Sequence, residues 1–184
     1  MLHREVLTRI LRTATRESNR EAIGTAVAAE MERQRDHLES ADLDRRLYAV
    51  RSIIRVGTDA SYKQVVNSSA RVILSAAYGT FRAAGSGDWH EELIASEMMI
   101  TDLFNDMYEA LSAIAGYRLR AGMSIDVFST AAAALVEGIS MRHGISKHLG
   151  PIKRPTGLNG ELEDWSLYAM SFEALYLMWF EPID

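Results

Sequence analysis

RLRAGMSIDVFSTAAAALVEGISMRH, residues 118–143, joins a short turn to a helix with two different apolar faces. From Ile125, the residues Phe128, Ala132, Leu135 and Ile139 recur at three- and four-residue steps, which places them on one stripe of an α-helix. A second stripe is built of small residues: Ala131, Ala134 and Gly138, with Val127 and Thr130 nearby. One apolar stripe serves a surface helix's own core. A second, narrow one admits another helix at close range, so the pattern predicts a helix packed on two sides, as at a subunit contact. Burial inside a single chain is the alternative reading of the same pattern.

The last helical segment repeats the theme. Between about Glu161 and Phe180, Trp165, Tyr168, Phe172, Leu175 and Trp179 make one stripe, and Leu162, Ala169, Tyr176 and Phe180 make another. A terminal helix that is apolar on two sides is not satisfied by one core. Helices 124–143 and 161–180 together predict a two-fold homodimer centred on a four-helix bundle, two helices from each copy. The expected contact residues are Ala131, Ala134, Leu135, Gly138, Arg142, Trp165, Tyr168, Phe172 and Tyr176.

Working outward, the 184 residues suit one domain with an ordinary soluble composition, 48% hydrophobic and 24% charged. Only three prolines occur, at 151, 155 and 182, in a chain rich in Ala, Leu, Arg, Glu and Met. That favours helix throughout, so the expected fold class is all-α. Ser18 with Glu21 has capping-box spacing before a helix reaching about Leu38, whose apolar set is Ile23, Val27 and Met31. Ser40 or Asp42 opens a helix through Leu47, Val50, Ile53 and Ile54 that is expected to stop at Gly57. Thr58 then begins a long helix to about Gly85, and Asp88 opens another that ends at Gly116. Ser124 caps the next, and the stretch 145–160, with two prolines and three glycines, reads as irregular. The expected division is 1–57 for connecting helices, 58–120 for a ligand cavity and 124–181 for dimerisation.

Chemistry is sparse. Cysteine is absent, which excludes disulfides, thiolate metal sites and a thiol nucleophile. None of the five histidines has the Glu-x-x-His spacing of carboxylate-bridged di-iron bundles, and no nucleophile elbow, phosphate loop or HExxH motif is present. No catalytic residue, metal or cofactor is therefore expected. No apolar run reaches the roughly 18 residues that a membrane span needs. Charge gives little more: residues 1–55 carry 11 arginines against 9 acids, net +2, and the remainder 9 bases against 16 acids, net −7. Neither half is the concentrated basic patch that nucleic acid requires.

A ligand site has more support. Tyr78, Phe81, Trp89, Met98, Met99, Phe104, Met107 and Tyr108, followed by Tyr117 and Phe128, supply adaptable thioethers and aromatic rings, some with polar tips. Such linings suit mostly apolar small molecules. Plain core filling is the alternative. The expected ligand-binding residues are Tyr78, Phe81, Trp89, Met99, Phe104, Met107, Tyr108 and Phe128.

Several of these segments resemble the C-terminal half of TetR-type bacterial transcription regulators. The matching residues are Leu119, Arg120 and Gly122 in the turn, Ala134, Leu135, Val136, Glu137 and Gly138 in the helix, and Arg142 beyond it; Thr156 to Leu175 resembles the loop and final helix of the same domains. The resemblance implies a cytoplasmic, homodimeric domain whose middle helices enclose a small-molecule effector. It also implies that DNA is contacted only through a helix-turn-helix part. Nothing in residues 1–57 looks like that part, and Leu2 to Leu11 resembles the helix that follows it. A stand-alone helical module that binds a small molecule or a protein, without acting on DNA, is the second reading.

Overall fold

In a computed structural model of the chain, the described residues are 17–68, 89–146 and 150–183, with backbone alone described at 17–20, 89, 90, 92, 93, 96, 97, 99 and 100. Six helices and four short strands follow one another in this part: α1 (Glu17–Arg33), α2 (Arg35–Leu38), α3 (Leu43–Val66), α4 (Trp89–Ile114), β1 (Tyr117–Leu119), α5 (Ile125–Ser140), β2 (Ile152–Pro155), β3 (Leu162–Trp165), α6 (Leu167–Trp179) and β4 (Phe180–Pro182). The segment Leu2 to Leu11 and most of the helix expected between Thr58 and Gly85 lie outside the described residues. Among those described, no helix is long and apolar enough to cross a membrane.

Local chemistry sets the helix starts. The Asp42 carboxylate accepts the Asp44 backbone N–H at 2.9 Å, capping α3, and Ser124 and Ser166 do the same for Val127 and Ala169 at the heads of α5 and α6. Gly57 does not end a helix as expected. α3 runs through it unbroken, because the residue serves a crossing: a Cβ there would stand 2.9 Å from Cγ2 of Val27 on α1. Its missing side chain lets α1 lie close on α3.

The fold is mostly helical, but the all-α expectation needs correction at two places. The stretch expected to be irregular, with the start of the expected last helix, folds as an antiparallel hairpin pairing Ile152 with Trp165 and Pro155 with Leu162. Helix α6 therefore starts at Leu167, not near Glu161. Downstream, β4 returns to pair with β1, Leu119 opposite Phe180 and Tyr117 opposite Pro182. The β1–β4 ribbon fastens the chain's last turn to the end of α4, and Ile183 N–H donates to the Gly116 carbonyl at 2.8 Å.

Packing runs in sequence: α1 on α3, α3 on α6, α6 on α5, α5 on α4. Phe128 of α5 sits at the centre with no exposed surface, ringed by Tyr108, Phe180 and Phe172 at centroid distances of 5.0, 5.2 and 5.7 Å. Burying a ring of this size contributes about 2–3 kcal/mol by area alone.

Two buried carboxylates brace the helices. Glu30 of α1 accepts from Ser52 on α3 at 2.6 Å and from Gln34 at 3.0 Å, and it pairs with Arg33. Burial alone would raise its pKa, but these partners together outweigh burial and hold it below the usual 4.5. Glu173 of α6 lies between Arg51 of α3, at 2.6 Å, and Arg154 of the hairpin, whose guanidinium also sits 4.6 Å above the Trp165 ring. Arg55 to Glu163, at 3.0 Å, makes a second tie between α3 and the hairpin.

Candidate ligand cavity and uncovered helix faces

Four helices each present one stripe to a shared internal space. α3 contributes Val50, Ile53, Ile54, Gly57, Thr58 and Ser61, and α4 with the residue just after it contributes Phe104, Met107, Tyr108, Leu111, Ser112 and Ala115. Both sets follow the i, i+3, i+4, i+7, i+8, i+11 spacing of a single helix face. α1 adds Ile23, Val27 and Met31, and α6 adds Tyr168, Phe172 and Tyr176, each at four-residue steps. The free volume among them is about 80 Å³, and the space is part-open rather than sealed. Among the described residues that line it, none is Asp, Glu, Lys, Arg or His.

Its polar atoms are few. The Thr58 hydroxyl donates to the Ile54 carbonyl at 2.6 Å, and the Tyr176 hydroxyl donates to Ser112 at 3.1 Å. Burial pushes the hydroxyls of Tyr168 and Tyr176 upward in pKa, with Ser61 and Ser112 respectively offsetting part of the rise. Tyr108 is also raised well above 10, by burial first and by Tyr168 second, so all three stay neutral O–H groups in ordinary buffers. The Tyr108 ring is clamped between Phe104, Phe128 and Phe172.

The expected ligand residues divide accordingly. Phe104, Met107 and Tyr108 line the cavity. Phe128 stands behind Tyr108 in the solid core, and Tyr117 is buried on β1. Met98 faces outward at 61% exposure. Trp89 and Met99 lie on α4 with side chains outside the description, and Tyr78 and Phe81 fall outside the described residues. The walls from α1 and α3 were not anticipated as ligand residues. Their stripes, such as Ile23–Val27–Met31, carry the same spacing as any core stripe.

The residues expected at a subunit contact separate in the same way. Trp165, Tyr168, Phe172 and Tyr176 are 0%, 4%, 6% and 6% exposed within this one chain, and the last three line the cavity. They are therefore reassigned from an outward face to the interior: their stripe is the one that α6 turns toward α3, α4 and α5. Ala134 and Arg142 are exposed, whereas Ala131, Leu135 and Gly138 are half-buried, with Leu135 packed against the core.

What the chain leaves uncovered is a different set. On α5 and its C-terminal cap it is Val127, Thr130, Ala134 and Met141, flanking Ala131 and Gly138. On α6 it is Ala174 and Met178, with Leu167, Met170 and Ser171 half-buried beside them. The only charged residue of α6 is the buried Glu173, so this outer face carries no charge. A groove of about 160 Å³ between α4 and α5 opens along Thr101, Phe104, Thr130, Ala134 and Glu137. Asn105 straps the two helices beside it, donating to Asp126 at 2.7 Å and accepting from Ser129 at 2.6 Å.

No protein-family model, curated protein or solved structure matches the chain.

Proposed function

We propose that the chain is the effector-binding and dimerisation unit of a TetR-like bacterial transcription regulator. It takes a mostly apolar small molecule into the cavity between α1, α3, α4 and α6, and it pairs with a second copy through the outer faces of α5 and α6. One observation carries the reading: α6 is divided lengthwise. Its inner stripe of Tyr168, Phe172 and Tyr176 walls the cavity, while its outer stripe around Ala174 and Met178 is apolar and uncovered. Uncovered apolar surface of this kind marks association, and a ligand on one side of the helix bears on the pairing on the other. Paired α5 and α6 helices would form a four-helix bundle. In the bacterial cytoplasm, the ligand's effect would pass to a DNA-reading helix-turn-helix part. It acts only to the extent that it binds one arrangement better than the other.

Light scattering at micromolar concentration tests the pairing. The expected wild-type mass is that of two copies. Gly138→Leu is the informative variant, because a Cβ at this position meets only Arg142 Nη1, at 4.0 Å, inside its own chain. Loss of the dimer in that variant then reports exclusion by a partner helix. An unchanged dimer puts the small-residue stripe elsewhere, and a monomeric wild type overturns the reading.

A further inference from the structure

We infer that the cavity takes a compact, neutral molecule bearing one hydrogen-bond-accepting oxygen, and that the Tyr108 hydroxyl is its anchor. The inference rests on the reading of this cavity as a ligand site and adds the chemistry of what enters it.

Charge is decided by the walls. Among the described lining residues no side chain is ionised, and the buried carboxylates Glu30 and Glu173 are held by their own partners outside that lining. A carboxylate, phosphate or ammonium entering here would shed its hydration shell and meet no opposite charge. Polarity is decided by the count of unspent groups. Thr58 is committed to the Ile54 carbonyl, Tyr176 to Ser112, and Ser61 lies beside the Tyr168 hydroxyl. The Tyr108 hydroxyl has no hydrogen-bond partner among the described residues. Its burial keeps the proton on the oxygen, so at neutral pH it offers a donor to a carbonyl or ether oxygen. Tyr108 is half-buried, so a ligand that supplies an acceptor oxygen gains about one net hydrogen bond there, and a hydrocarbon does not.

Size follows from the free volume. About 80 Å³ is roughly half of the engineered cavity of about 150 Å³ that accepts benzene. Met31 and Met107 are on the wall, and thioether chains re-pack readily. A six-membered ring is therefore accommodated only as these side chains re-pack, and anything larger would have to move the helices.

The test compares three probes on the full chain: cyclohexanone, its hydrocarbon isostere methylenecyclohexane, and cyclohexanecarboxylate. Calorimetry and melting temperature read affinity, and the methyl resonances of Ile53 and Leu111 report location. Cyclohexanone is expected to raise the melting temperature, to shift both methyl resonances, and to bind about five- to tenfold more tightly than the alkene, the worth of one net hydrogen bond. Tyr108→Phe keeps the ring and is expected to bind ketone and alkene alike. Tyr176→Phe, which removes a hydroxyl already committed to Ser112, is expected to retain the preference. Equal binding of ketone and alkene by the wild type, or a preference that survives Tyr108→Phe, overturns the anchor and leaves the cavity reading standing. A carboxylate that binds more tightly than the ketone overturns neutrality. Failure of all three probes to move either methyl overturns the cavity reading and the inference with it.

Discussion

Gly24 and Gly57 both sit inside helices, yet substitution should move stability in opposite directions. Gly24 is exposed on α1, and a Cβ there meets nothing within 4 Å. Gly24→Ala should therefore raise the unfolding free energy by about 0.5–1 kcal/mol, the helix-propensity difference between the two residues. At Gly57 the same gain is set against a contact of 2.9 Å with Val27, a β-branched side chain with little freedom to turn. Overpacking of this kind costs about 1–3 kcal/mol, so Gly57→Ala should be neutral to destabilising by about 2 kcal/mol. Urea midpoints of the two variants decide it, and an equal gain at both positions would mean that α1 does not approach α3 closely. This pair also explains a failure of the sequence reading. Glycine both ends helices and lets them cross, and nothing in its immediate neighbours distinguishes the two uses. Gly57 consequently reads as a stop when it is a contact.

At the scale of elements, the hairpin β2–β3 is the part that the sequence conceals. Leu162 and Trp165 lie at helical steps from Tyr168 and Phe172, so a strand that feeds a helix mimics one longer helix. Pro155, Gly157 and Gly160 then look like an irregular loop. The ties that make the hairpin, Trp165 Nε1–H to Thr156 at 2.6 Å and Arg154 to Glu173, join residues that no periodic pattern links. Serine caps and apolar stripes, by contrast, are local, which is why α5, its cap at Ser124 and the Phe104–Met107–Tyr108 part of the cavity were legible. The α1 and α3 walls were not, since a cavity stripe and a core stripe have identical spacing. Glu173 gives the hairpin its measurable consequence. The carboxylate is 4% exposed, while Arg51 and Arg154 are 28% and 26% exposed. Glu173→Gln keeps the shape but leaves two partly buried guanidinium groups without a counter-charge. The full penalty of about 3–5 kcal/mol for breaking a buried pair is reduced by the water that reaches both arginines, so a loss of about 2–3 kcal/mol is expected. Amides of residues 152–154 and 162–165 should then exchange hydrogen faster than those of α5. Uniform exchange across the molecule would show that the hairpin is not held as a separate clamp.

For the whole molecule, the proposed function turns on whether the two sides of α6 are coupled. Phe104 lines both the internal cavity and the open groove beside α5, and α6 divides the cavity from the uncovered apolar face. Ala174 is exposed within its own chain, so Ala174→Glu should leave folding unchanged within about 0.5 kcal/mol, as surface changes usually do. Placed in a dimer interface, the same carboxylate would be buried without a partner, so the variant should run as a monomer in light scattering while melting cooperatively. Coupling is reciprocal: whatever factor a cavity ligand adds to pairing, pairing adds to ligand affinity. With cyclohexanone as probe, a tightened dimer in the wild type requires weaker binding by the Ala174→Glu monomer, by the same factor. A variant that remains dimeric removes α6 from the interface. A monomeric variant that binds the probe with wild-type affinity makes α6 a shared wall with no signal through it. In that event ligand sensing and self-association are separate properties of the chain, and the regulator reading loses the physical link on which it depends.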